Sequence, residues 1–186
     1  MDVETPHGPA RVHLHPAERA RAAVVLGHGA GGGVASRDLA AATAAARAEG
    51  LAVALVEQPY RVAGRRSPAP APRLDAAWIA VVDHLAAGEL AGLPLVAGGR
   101  SSGARVACRT AQETGAVAVL CLAFPLRPPG RATAPSRQPE LDAVEVPTLV
   151  VQGERDPFGI PSAGARREVV LVGGGTVTCV AGEVEL

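Results

Sequence analysis

Three short segments place reactive or anion-binding groups directly after apolar runs. Gly99-Arg100-Ser101-Ser102-Gly103 follows the apolar stretch 93–97 and opens an Ala-rich helical stretch. In a G-x-S-x-G pattern the glycines permit a sharp strand-to-helix turn. The central hydroxyl projects from that turn, and the helix N-terminus faces developing negative charge. The register makes Ser101, rather than Ser102, the candidate nucleophile for acyl transfer. With 22 Gly and six Ser in the chain, chance supplies such a pattern only about 0.08 times. The alternative is a plain Gly/Ser turn that packs a helix on a strand.

The second segment, Gly27-His28-Gly29-Ala30-Gly31-Gly32-Gly33, follows the β-prone run 22–26. Small residues let backbone N–H groups approach an oxyanion closely. His28 reads as a residue that orders this loop rather than as a base. Gly27, Gly29 and Gly32 also fit G-x-G-x-x-G, a nucleotide-binding pattern that chance supplies about 0.3 times here and that is therefore weak. The third segment, Gln152-Gly153-Glu154-Arg155-Asp156-Pro157-Phe158-Gly159, follows a late apolar run. Asp156 stands where a Ser…Asp…His order puts the acid that orients a histidine. Its alternative is an Asx turn.

These segments need a scaffold that brings strand ends to one edge. Short apolar runs at 22–26, 51–56, 93–97, 116–123, 146–152 and 168–172 alternate with helical stretches at 36–49, 73–87 and 104–113. The first residues, 3–14, read as a hairpin around Pro6-His7-Gly8-Pro9. Residues 59–72 and 124–140 read as Pro-rich loops. The pattern predicts one α/β domain over 1–186, a mostly parallel sheet with helices on both faces. Ligands in such sheets bind at the carboxyl ends of the strands.

Composition excludes several classes. The chain has 186 residues, 18 Arg with no Lys, 18 acidic residues, and net charge zero. It has no basic run to bind nucleic acid, and its longest apolar run is too short for a membrane span. The acidic start lacks a signal-peptide core, so the cytoplasm is the expected compartment. Cys108, Cys121 and Cys179 have no CxxC spacing and are expected reduced. No His/Cys/Asp cluster has metal-ligand spacing, and neither metal nor organic cofactor is expected. The Ala, Gly, Pro and Arg excess reflects a GC-rich, bacterial gene.

The chain resembles small α/β-hydrolases of the dienelactone-hydrolase-like branch. More closely it resembles the family typed by testis-expressed protein thirty and a subunit of the NSL histone-acetylation complex. The resemblance rests on 27–32, 98–105, 152–159 and the block Gln58-Pro59-Tyr60-Arg61-Val62-Ala63-Gly64-Arg65-Arg66, and covers about 20–172. It implies an α/β-hydrolase fold with an N-terminal antiparallel hairpin. It also implies Ser101 as nucleophile, Asp156 as acid, and the amides of Ala30 and Ser102 as oxyanion donors beside His28 and Gly29. Tyr60, Arg61, Arg65 and Arg66 are candidate substrate-binding residues. With Arg127, Arg131 and Arg137 in the second Pro-rich loop, the arginines suit an anionic acyl group or a solvated surface.

The chain departs from this pattern at its end. The resemblance implies a histidine after the last strand and a closing helix. No histidine follows Asp156; the five present are His7, His13, His15, His28 and His84, the last expected to be structural. Residues 175–179, back-translated and read from the third base of Gly175, permit Asp, a variable residue, His, Leu and Arg. A shifted frame is one expectation for this tail, and resequencing checks it. Three functions follow: a hydrolase of small esters, thioesters or amides; an inactive hydrolase-like domain that binds a protein partner or a second copy; or a Rossmann-type nucleotide-binding domain.

Overall fold

The computed structural model describes residues 1–131 and 133–173. β3 (Ala23–Gly27) and β4 (Ala52–Glu57) are apolar on both pleat faces, so both faces must be covered. Val24, Leu26, Val53 and Leu55 pack with Leu39 of α1 (Arg37–Ala48) on one face. Val25, Ala54 and Val56 pack on the other, with Trp78 and Val81 of α3 (Ala71–Ala87) and Val106 of α4 (Ser102–Thr110).

Eight strands form one sheet in the order β1-β2-β4-β3-β5-β6-β7-β8. β1 (Asp2–Val3) and β2 (Ala10–His15) form the hairpin, and β2 lies antiparallel to β4. From β4 onward every pairing is parallel, through β5 (Leu95–Arg100), β6 (Ala118–Leu122), β7 (Thr148–Gly153) and β8 (Arg167–Val172). The expected α/β-hydrolase-type architecture is therefore present, and the carboxyl ends of β3, β5 and β7 share one edge.

Three details differ from the sequence expectation. The Pro-rich segments are not loops throughout, since each contains a short helix: α2 (Pro59–Val62) and α5 (Gln138–Asp142). Proline lies in the first turn of both, where its missing N–H leaves no helical bond unmade. A serine opening the helical stretch 36–49 favours a side-chain cap, yet Ser36, the N-cap residue of α1, caps nothing, and Gly50, at φ 71°, follows the helix end. His84 does not sit among apolar residues. It is exposed, because Leu74, Trp78, Val81, Val82 and Leu85 take the buried face of α3.

Cys108 on α4 and Cys121 on β6 are free, buried thiols with sulfurs 3.5 Å apart. This contact and, after it, burial push the Cys121 thiol well above its ordinary pKa. Cys179, segment 175–179 and the expected missing closing helix lie outside the described residues. Among the described residues no helix is long and apolar enough to cross a membrane.

Candidate active site

The turn at Ser101 is built on contacts between glycine backbones. A methyl group at Gly99 or at Gly103 would run into the Gly27 carbonyl oxygen, and one at Gly98 would lie 2.5 Å from the Leu120 carbonyl. The two flanking glycines of the motif thus let β5 and α4 seat directly on the end of β3. Ser101 itself has φ 51° and ψ −104°. A non-glycine residue in the left-handed region costs roughly 1–2 kcal/mol. The strain is held by its N–H, which donates to Leu122 O at 2.9 Å, and its carbonyl, which accepts from Arg105 N–H at 3.2 Å.

Ser101 is the N-cap residue of α4, yet its hydroxyl caps nothing, so it remains available for chemistry. The Ser102 amide lies in the first turn of α4, where N–H groups have no helical acceptor. Ion pairs fix the helix. Arg105 binds both carboxylate oxygens of Glu140, and Arg109 binds both of Asp75 and reaches Glu140 at 3.4 Å. Burial opposes the Glu140 charge, but the two arginines outweigh it and hold its carboxyl below the ordinary range.

The glycine loop after β3 stands against this turn: a methyl at Gly29 would lie 3.7 Å from Ser101 Cβ. Both ring nitrogens of buried His28 are engaged. Nε2 accepts from Gln58 N–H at 3.1 Å, so Nδ1 carries the proton and donates to Gly29 O at 2.8 Å. Burial lowers its pKa and keeps the ring neutral. Tyr60, also buried, donates its hydroxyl to Ala30 O at 2.9 Å. His28 and Tyr60 therefore shape the loop. α1 starts at Arg37, so Gly32 does not stand at a helix N-terminus as a dinucleotide site requires.

Asp156 follows β7, two strands along from β5 and thus roughly 10 Å across the sheet. It is buried, and its Oδ1 accepts from Phe158 N–H at 2.8 Å in an Asx turn. Burial raises its pKa, while the Phe158 N–H and the Arg100 charge oppose the rise. Nearby, Gln152 donates to Phe124 O and Gly159 O, tying the turn to its own loop. The structure thus puts Ser101, the glycine loop and Asp156 on one edge. It provides no free imidazole there among the described residues.

Of the candidate arginines, Arg61 is half-buried and Arg65 and Arg66 are exposed, while Arg137 is spent on Pro125 O. The cation beside the serine is instead Arg100, which the sequence reading passed over as the variable position of the motif. Its Nε lies 2.5 Å from Oδ2 of buried Asp38. A cavity of about 10 Å³, room for roughly one water, lies between His28, Tyr60, Trp78 and Ser102.

A family described as alpha/beta hydrolase domain matches residues 20–170. No curated protein matches the chain. Among solved structures, it is similar to XC6422 of Xanthomonas campestris, described as an α/β serine hydrolase without lid. The TM-score is 0.74 at 19% identity, covering 93% of this chain and 82% of that one. Dienelactone hydrolase from Anabaena variabilis gives 0.72 at 18% identity, over 97% and 88%. Est1E from Butyrivibrio proteoclasticus gives 0.74 at 15%, over 94% and 88%. At such identities the likeness is one of fold.

Proposed function

We propose that this chain, which belongs to the alpha/beta hydrolase domain family, is a serine hydrolase acting on small esters, thioesters or amides through Ser101. The observation that carries the reading is the strained serine. A non-glycine residue at φ 51°, with a hydroxyl that caps nothing, sits beside a glycine loop and ahead of a helix N-terminus. Strain of this kind persists where the surroundings over-determine it and marks functional positions. Ser101 Oγ bonds to the carbonyl carbon and gives its proton to a water molecule, while the carbonyl oxygen takes the charge and rests on the Ala30 and Ser102 amides. Collapse breaks the bond to the alcohol, thiol or amine, which leaves with a proton, and water then hydrolyses the acyl-serine. Asp156 is the acid. We place the chain nearest the branch typed by testis-expressed protein thirty, on the block 58–66, and in the cytoplasm.

A fluorophosphonate probe tests this. The expected result is covalent labelling of Ser101 that is lost in Ser101→Ala. No labelling, where a histidine-containing serine hydrolase labels under the same conditions, overturns it.

A second reading rests on the histidines. None follows Asp156 in the sequence, and both nitrogens of His28 are engaged. Without a base to take the Ser101 proton, the rate falls by several orders of magnitude. The same domain then serves as a binding module for a protein partner or a second copy. Recovery of one defined partner by wild type and Ser101→Ala alike, with no turnover of p-nitrophenyl acetate, supports that reading.

A further inference from the structure

We propose that Arg100, braced by Asp38, is a positioning residue that holds the glycine loop at the oxyanion pocket. The inference rests on the serine-hydrolase reading and adds a residue pair to it. Arg100 is the last residue of β5 and pairs in register with Leu122. Paired residues share a sheet face, and Leu122 belongs to the cluster packed by α1. The Arg100 side chain therefore leaves the serine turn on the α1 side, where Asp38 waits in the first turn of that helix.

The Asp38 side chain is only 2% exposed, against 29% for Arg100. No N–H points along the 2.5 Å contact, and Asp38 Oδ2 has no hydrogen-bond donor among the described residues. The contact is thus an ion pair rather than an aligned hydrogen bond. The guanidinium crosses beneath the loop on its way: a methyl at Gly29 would lie 2.9 Å from Nη1. Gly29 rests on the cation, and its lack of a side chain makes the contact possible. On its other side the loop is held by His28 and Tyr60.

Arg100 therefore joins the serine turn, the loop and the start of α1 in one rigid step. Its charge is matched by Asp38, so the pair acts by fixing the position of the loop that carries the Ala30 amide. Losing a buried partner leaves Asp38 uncompensated, so both members are needed.

Two measurements test the pair in the full chain. Hydrogen exchange of the 29–33 amides reads the brace without any chemistry at Ser101. About tenfold faster exchange is expected in Arg100→Met and in Asp38→Asn. Unchanged exchange in both variants overturns the proposal. Phenylboronic acid, which adds to a serine as a tetrahedral anion, reads the oxyanion pocket. Affinity is expected to fall about tenfold in Arg100→Met and to recover in part in Arg100→Lys, which keeps the charge. Equal affinity in wild type and Arg100→Met also overturns it. Absence of a boronate adduct in wild type removes the Ser101 reading instead, and the exchange measurement then decides the brace by itself.

Discussion

The two ends of the candidate site are built differently. Around the glycine loop, the contacts come from afar: Tyr60 from α2, Gln58 before it, and Arg100 from β5, itself held by Asp38 of α1. Around Asp156 the bonds of the residue itself are local, to Gly153, Phe158 and Gly159 of its own turn, while Gln152, Phe124 and Arg127 tie that turn to the rest of the fold. The glycine-loop half is thus fixed by tertiary structure before any substrate arrives. The acid half is a turn that would form in much the same way without a catalytic role.

The contrast can be broken most forcefully at the glycines. Gly103→Ala drives a methyl into the Gly27 carbonyl and is expected to cost about 3 kcal/mol or more. On the acid side Gly159→Ala meets only Leu126 at 3.5 Å, so its cost is the φ 90° strain, about 1–2 kcal/mol. Urea unfolding of both variants measures the difference; equal losses would erase it. Next in size, Tyr60→Phe removes a buried hydrogen bond and should cost about 1 kcal/mol. Asp156→Asn keeps the Asx acceptor and should stay within about 0.5 kcal/mol. Ser101→Gly should be more stable than Ser101→Ala by about 1 kcal/mol, because glycine accepts φ 51° without strain. Thermal melts of that pair check it.

The smallest effect is the sign of the pH response. His28 titrates below its ordinary 6.5 in the fold because it is buried. The unfolded chain therefore takes the proton first, and stability is lost as pH falls below that value. Asp156 titrates above its ordinary 3.8, again through burial. The fold takes that proton first, so stability is lost as pH rises through the range just above 3.8. Melting temperatures against pH should lose the first slope in His28→Gln and the second in Asp156→Asn. Slopes of one sign in both variants would refute the assignment.

Much of this was legible in the residues. The strands announced themselves because they are buried on both faces and so run apolar without alternation, as in 23–26 and 52–56. The motif glycines named the serine turn because close backbone approach admits few residue types. α2 and α5 were missed because proline reads as a breaker until its place in a helix is known. Arg100 with Asp38, and Tyr60 with Ala30, were missed for a different reason. Their pairing depends on which strands become neighbours, and that is a property of the sheet order rather than of spacing. Asp156 could be picked out as a carboxylate following a late strand, but its actual hydrogen bond is one that any Asp in such a turn makes.

The meeting of Gly27, Gly99 and Gly103 has a consequence for how the molecule tolerates change. Most protein interfaces are cushioned by side chains, whose rotamers absorb small errors in alignment. Here main chain touches main chain, so there is no cushion. Loop and serine must be displaced together or not at all, and a mutation elsewhere that shifts β3 by a few tenths of an ångström is passed on to Ser101 undiminished. Laboratory evolution of this scaffold should accordingly enrich changes in the arginine-bearing segments 61–66 and 127–131, and leave these three positions silent in every surviving variant.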